Sequence, residues 1–274
     1  MTNSSPQIKS TTPLKPGVYF IGAGPGDPEL LTLKAYKILT QVDCILYADS
    51  LIPKALLKDV RPEAELIPTG SQTLETIMPL MIDRIKARRT VVRLHSGDLT
   101  LYSAIAEQIQ ILSKANIPFE LIPGISAFQA ASAILNTELT LPNLVQTIIL
   151  TRTSGRASAV PEAEELAGLA THQASLCLYL SAHHVKAAQQ KLCQHYPEDT
   201  PVAICYRVGW EDEKIWLVPL IEMSKTTTQQ QLTRTTLYII SPALKTITAE
   251  HQFSRSRLYD PQHRHLFRPK ATEV

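Results

Sequence analysis

Short apolar runs alternate with helical periodicity through the first half of this chain, and the links between them are brief. Val18-Tyr19-Phe20-Ile21 predicts a buried strand ending in a turn at Gly22, and apolar positions 30, 31, 33, 38 and 39 predict a helix over 30–41. The alternation continues with a strand at 44–48, a helix at 74–88, a strand at 90–94, a helix at 102–115, a strand at 119–122 and a helix at 126–135. Strands separated by helices must cross over rather than turn back as hairpins, which builds a parallel sheet flanked by helices. The pattern breaks at 136–144, where Pro142 interrupts a stretch without period, and that stretch reads as a linker. Beyond it, strands are predicted at 145–150, 175–180, 202–206, 214–220 and 237–241, with helices near 162–170 and 183–195. Only Arg207 to Glu213 separates the third and fourth of these strands, too short for a crossover and suited to an antiparallel hairpin, so the second sheet is expected to be mixed. The expectation is two α/β domains, 17–135 and 145–244, with a disordered lead-in over 1–16 and a basic tail over 245–274.

Composition removes several function classes. Lys and Arg number 27 against 25 Asp and Glu, a net charge of +2, whereas a nucleic-acid surface needs a marked basic excess. No hydrophobic run exceeds five residues, far short of the roughly 20 that span a bilayer, so no membrane partner is expected. Residues 1–16 lack both the apolar core of a secretory signal and the Arg of an organellar one. Cys44, Cys177, Cys193 and Cys205 never approach metal-ligand spacing and read as buried, reduced thiols of a cytoplasmic protein, with no metal site.

The most informative turn is Gly22-Ala23-Gly24-Pro25-Gly26-Asp27. A dinucleotide fingerprint would place its third glycine where Asp27 stands. A carboxylate there repels a pyrophosphate, and Pro25 removes a backbone N–H that an anion would use. A phosphate-binding P-loop fails too, because no Gly-Lys-Ser/Thr closes the motif. What remains is a glycine turn at the carboxyl end of a parallel strand, built for close approach by a ligand without phosphates. S-adenosyl-L-methionine (SAM) fits that description; a tight turn with no ligand is the alternative.

Further turn segments fall at the ends of predicted strands: His95-Ser96-Gly97-Asp98, Pro123-Gly124-Ile125-Ser126-Ala127, Tyr179-Leu180-Ser181 and Arg234-Thr235-Thr236. The first two converge with Gly22–Asp27 on the carboxyl edge of one sheet, where open α/β folds bind ligands. Taken in order over roughly 17–243, these motifs resemble the tetrapyrrole (corrin and porphyrin) methylase superfamily. Three more segments are similar to one branch of it: Tyr47-Ala48-Asp49-Ser50-Leu51-Ile52, the run from Thr151 through Arg156 to Val160-Pro161-Glu162, and Ser256-Arg257-Leu258-Tyr259-Asp260-Pro261 in the tail. Against that branch, this chain has Asp49 and Ser103 where Gly is usual, Leu99 where Pro is usual and Ser154 where Glu is usual.

The resemblance implies a SAM-dependent methyltransferase of cobalamin biosynthesis acting at carbon 11 of precorrin-4 or cobalt-precorrin-4. It also implies S-adenosyl-L-homocysteine (SAH) as product, SAM held in an interdomain cleft, and a homodimer. The contacts it carries over to SAM are Pro25, Gly97, Asp98, Leu101, Ser126, Ala127, Leu180, Val208, Thr235 and Thr236. Asp98 suits the SAM amino group, with an N-cap for the helix expected from Tyr102 as the alternative; Leu101 and Leu180 suit a water-excluding wall, but equally plain core. A precorrin carries acetate and propionate arms, so Arg152 and Arg156 are the substrate-binding candidates, with solvated surface residues as the alternative. Methyl transfer needs no covalent enzyme intermediate, and no nucleophile-base arrangement or general base stands out. His183, His184 and Trp210 receive no role. The competing acceptor readings are another precorrin position or, as in remote superfamily members, protein or RNA.

Overall fold

The computed structural model describes residues 13–154 and 159–247, together with 260 and 263. These fall into two compact units, one drawn from Met1–Ala130 and Arg207–Glu213, the other from Ala131–Tyr206 and Lys214–Val274.

The first unit contains β1 (Val18–Gly22), α1 (Leu33–Leu39), β2 (Cys44–Tyr47), β3 (Glu65–Pro68), α2 (Leu74–Lys86), β4 (Val91–His95), α3 (Ile105–Lys114) and β5 (Phe119–Ile122), and it ends within α4 (Ala127–Ile134). All strand pairs are parallel, in the order β3-β2-β4-β1-β5. Every residue of β1 is buried, as expected of a strand covered on both faces. One face packs Tyr19, Ile21, Ile45, Val92 and Leu94 against Ala35, Ile38 and Leu39 of α1. The other packs Phe20, Leu46 and Val91 against Ile77, Met78 and Met81 of α2 and Leu112 of α3. Gly22 lies opposite His95 and Ile21 opposite Ile122, so the carboxyl ends of β1, β4 and β5 stand side by side.

Two predicted helices start late. The expected 30–41 helix is a 3-10 turn, Pro28–Leu30, followed by α1, because the Thr32 hydroxyl caps the backbone N–H of Ala35 and starts a new helix there. The expected 102–115 helix begins only at Ile105, because Tyr102 (φ 56°) and Ala104 (φ 50°) are left-handed and continue the loop that leaves β4.

The second unit contains β6 (Ile148–Arg152), α5 (Leu166–Ala170), β7 (Ser175–Tyr179), α6 (Val185–Leu192), β8 (Pro201–Tyr206), β9 (Lys214–Pro219), α7 (Met223–Gln229) and β10 (Thr236–Ile240). Its sheet order is β6-β7-β10-β8-β9, with β6 and β7 parallel and the other pairs antiparallel. The mixed sheet and the β8–β9 hairpin are as the sequence predicts. Leu176, Leu178, Val202, Ile204, Tyr238 and Ile240 form its core with apolar residues of α5, α6 and α7. Cys44, Cys177 and Cys205 are buried, and burial pushes the Cys44 thiol up to about 11 and the Cys177 thiol to about 12, so neither is a thiolate at neutral pH.

Candidate active site

Three glycines allow the strand ends of the first unit to meet backbone against backbone. A Cβ on Gly22 would lie 2.6 Å from Gly124 N and 2.7 Å from Gly97 O; one on Gly124 would lie 2.3 Å from Gly97 O. The Ala23 N–H donates to His95 O (2.7 Å), Gly24 N–H to Gly97 O (3.1 Å) and Gly97 N–H to Gly24 O (2.7 Å), stitching the β1 and β4 loops together. Those bonds occupy the Ala23 and Gly24 amides of the turn, and Pro25 has none to give a phosphate. Asp27 is committed locally: its Oδ1 accepts the Glu29 N–H at 2.9 Å and caps the 3-10 turn. Gly97, by contrast, has φ +69°, and a Cβ there would meet nothing within 4 Å. It faces open space above the strand ends.

Asp98 joins the second and third loops of this edge. Its Oδ1 accepts the Thr100 N–H at 2.9 Å and the Thr100 hydroxyl, while Oδ2 accepts the Gly124 N–H at 2.9 Å. Burial works to raise its pKa, but the hydrogen bonds from Thr100, Gly124 and Leu99 outweigh it and hold the carboxyl below the ordinary value. It does not cap α3, whose N-cap is Ala104. Ser126 is buried just ahead of α4, and its N–H donates to Gln129 Oε1 at 2.9 Å, half of a capping box. Beneath the edge, His95 is desolvated by burial and repelled by Arg93, which pushes its pKa down to about 3 and keeps it neutral. The loop Arg207–Glu213 also belongs to this unit, with Val208 buried and Trp210 Nε1 donating to Pro25 O at 3.2 Å.

In the second unit, Arg152, Leu180, Thr235 and Thr236 gather at one edge of the sheet. Arg152 pairs with Tyr179, the residue before Leu180, and Thr236 pairs with Tyr206 at the end of β8. Leu180 (φ 52°) and Thr235 (φ 53°) are left-handed; strain of that kind costs about 1–3 kcal/mol per residue and concentrates at functional sites. Leu180 is 67% exposed, so it is not a core residue. Arg152 donates to Thr153 O (3.2 Å) and Ala159 O (3.3 Å) of its own loop, and the buried Ser181 hydroxyl accepts the Thr153 N–H at 3.1 Å.

A family model for tetrapyrrole (corrin/porphyrin) methylases matches residues 17–224. This chain belongs to that family. It is 40% identical over 252 residues to a precorrin-4 C(11)-methyltransferase of Pseudomonas aeruginosa, covering 92% of this chain and 98% of that one. It is 39% identical over 252 residues to a cobalt-precorrin-4 C(11)-methyltransferase of Methanocaldococcus jannaschii, covering 92% and 95%. The crystal structure of a cobalt precorrin-4 methyltransferase of cobalamin biosynthesis matches with a TM-score of 0.80 at 38% identity, covering 83% of this chain and 95% of that one. A uroporphyrin-III C-methyltransferase from Thermus thermophilus, solved with S-adenosylhomocysteine, shares the fold at a TM-score of 0.71 and 23% identity, covering 84% and 99%.

Within this methylase, the first sheet's carboxyl edge brings together Pro25, Gly97, Asp98, Leu101, Ser126 and Ala127, with Val208 in the same unit. The second sheet's edge brings together Leu180, Thr235, Thr236 and Arg152. Arg156 and most of the tail motif, all but Asp260, lie outside the described residues. The four departures from the branch pattern each find a place. Asp49 Oδ1 accepts the Gly70 N–H at 2.9 Å, Leu99 is buried against the α2–α3 face, the Ser103 hydroxyl donates to Asp98 O at 3.1 Å, and Ser154 Oγ accepts the Val160 N–H at 3.0 Å. Trp210, to which the sequence gives no role, lies four residues past the end of β8 and reaches Pro25 O. Among the described residues no helix is long and apolar enough to cross a membrane, and no group of three or more His, Cys, Asp and Glu is placed to hold a metal.

Proposed function

We propose that this methylase transfers the methyl group of SAM to carbon 11 of precorrin-4 or cobalt-precorrin-4 in cobalamin biosynthesis. The observation that carries the acceptor is the near-full-length identity of 40% with the Pseudomonas aeruginosa precorrin-4 C(11)-methyltransferase. The donor rests on chemistry in the first unit: the Ala23 and Gly24 amides already bonded and none at Pro25, open space at Gly97 and an ionised Asp98. Those features fit a cationic, phosphate-free ligand. When bound, SAM would supply an electrophilic methyl that forms a bond to the macrocycle carbon as its bond to sulfur breaks, the sulfonium leaving as a neutral thioether.

The chain's residues supply alignment and environment. Gly97, Pro25 and Ser126 let backbone approach the donor closely, and Asp98 faces its positive charge while holding the Gly124 loop in place. Leu101, Ala127, Leu180 and Val208 exclude water, with Thr235 and Thr236 as further contacts; the exposure of Leu180 suits a ligand contact. Arg152 and Arg156 pair with substrate carboxylates, and no side chain is assigned as nucleophile or general base. Holding the two reactants in line can lower the barrier by about 7–11 kcal/mol. The reading extends to a homodimer in the cytoplasm; light scattering should give twice the 30.4 kDa chain mass.

The test is incubation of the purified protein with SAM carrying a 13C-labelled methyl and with precorrin-4 or its cobalt form. One label at C11 in the product is the expected result. A label at another ring carbon moves the protein to a different step of the same chemistry, and no transfer to either substrate overturns the acceptor.

A further inference from the structure

The loop Arg207–Glu213 connects β8 to β9, yet it clusters with the first unit. Its fit against the glycine turn is close in both directions. A Cβ on Gly26 would lie 2.5 Å from Trp210 Cδ1 and 2.8 Å from Nε1, and a Cβ on Gly209 would lie 2.9 Å from Asp27 N. Each partner therefore requires glycine in the other. The indole is itself held from within the loop: the Arg207 guanidinium carbon lies 4.7 Å from its ring centroid, and Arg207 is ion-paired to Asp212 at 2.6 Å. The Gly209 N–H donates to Glu213 Oε2 (2.7 Å), Trp210 N–H to Arg207 O (2.9 Å) and Glu213 N–H to Trp210 O (3.1 Å).

The turn needs such a partner. Its start is anchored by the Ala23 and Gly24 amides and its end by the Asp27 cap, but Pro25 lies between two flexible positions, Gly24 and Gly26. Gly24 sits at φ +76°, and glycines on both sides of Pro25 leave this backbone many accessible conformations. The Nε1–H bond from Trp210 fixes Pro25 O between those anchors. The β8–β9 ladder is already paired along six residues of each strand, so the hairpin itself does not call for an indole at this place.

We propose that Trp210 is a positioning residue for the methyl donor, holding Pro25-Gly26-Asp27 in the shape that SAM binding requires without touching the reacting atoms. This rests on the SAM reading above. The test is calorimetry with SAH on wild-type protein, Trp210→Phe and Trp210→Ala, with steady-state kinetics alongside. Trp210→Phe keeps the packing and removes one neutral hydrogen bond, so SAH should bind about fivefold more weakly; Trp210→Ala should lose about tenfold or more. KM for SAM should rise in step, while kcat at saturating SAM and KM for the corrinoid stay within about twofold, a split that general destabilisation does not produce. If Trp210→Ala fails to fold, the Phe variant decides. SAH affinity in Trp210→Phe within about twofold of wild type overturns the inference, as does a kcat loss at saturating SAM with KM unchanged. Absence of SAH binding by the wild-type protein instead overturns the SAM reading itself.

Discussion

Gly97 and Gly124 belong to one stack yet should fail in opposite ways when each is changed to Ala. At Gly124 the new methyl carbon would lie 2.3 Å from Gly97 O and 2.6 Å from Gly22 C, against an ordinary contact of 3.4 Å or more, so backbone must move by about 1 Å. Overpacking costs about 1–3 kcal/mol where side chains can yield. Here the neighbours are main chain, tied by the paired Gly24–Gly97 hydrogen bonds, so the top of that range, about 3 kcal/mol, is expected. With about 2–4 °C of Tm per kcal/mol for a chain of this size, the first unit should melt roughly 6–12 °C lower. At Gly97 the methyl meets nothing within 4 Å, leaving only the left-handed backbone penalty of about 1–2 kcal/mol at φ +69°. Its methyl would, however, project into the open space assigned to SAM, and SAH affinity should fall at least about tenfold, or 1.4 kcal/mol. Thermal unfolding with calorimetric SAH titration separates the two effects. Wild-type SAH affinity in folded Gly97→Ala would show that this space is not the donor's, and a wild-type Tm in Gly124→Ala would refute the stack.

Asp98→Asn should weaken SAM binding while leaving the single-turnover rate at saturating SAM near wild type; a fall above about a thousandfold with affinity intact would assign Asp98 a chemical role. Its depressed folded-state pKa stabilises the protein above the ordinary carboxylate value and that stability is lost as acid titrates it, so the Asn variant should show a shallower loss below about pH 4 in acid denaturation. His95 acts in the same direction over a higher range: the unfolded chain takes up a proton near pH 6.5, the folded chain only near 3, so stability falls by up to about 1.4 kcal/mol per pH unit as pH drops between them. Chemical denaturation of His95→Phe at pH 4–6 should show that slope reduced, and an unchanged slope would refute the assignment. Arg152→Ala should raise KM for the corrinoid and leave SAH affinity within about twofold; equal losses at both ligands would point to a structural role for its bonds to Thr153 O and Ala159 O instead.

Elements with strong periodicity were legible in the sequence, and the exceptions have physical reasons. β5 begins and ends at the bounds the sequence predicts, 119–122, whereas β3 was missed because Glu65-Leu66-Ile67-Pro68 is a four-residue edge strand closed by proline. α7 was missed because Ser, Thr and Gln fill it and only Met223 and Thr227 are buried. In the site, the convergence of the Gly22–Asp27, Gly97–Asp98 and Pro123–Ala127 turns follows from strand order alone. The attachment of 207–213 to the first unit does not, since it depends on Gly26 and Trp210, 184 positions apart, meeting in space. Likewise, the alternation in Val91-Val92-Arg93-Leu94-His95 gives no warning that Arg93 and the Nε2 of His95 are buried.

The first unit is not a contiguous stretch of polypeptide, and this bears on how it is made. On the ribosome its five strands emerge by Ile122, but the loop that packs on its glycine turn lies some 77 positions beyond Ala130. Trp210 follows Ile122 by 88 positions, so at about 5–20 residues per second the nascent sheet waits roughly 4–18 seconds for it, exposing the turn meanwhile. A gene fragment stopped after the first sheet would encode every strand of that sheet and still yield a protein with this turn uncovered.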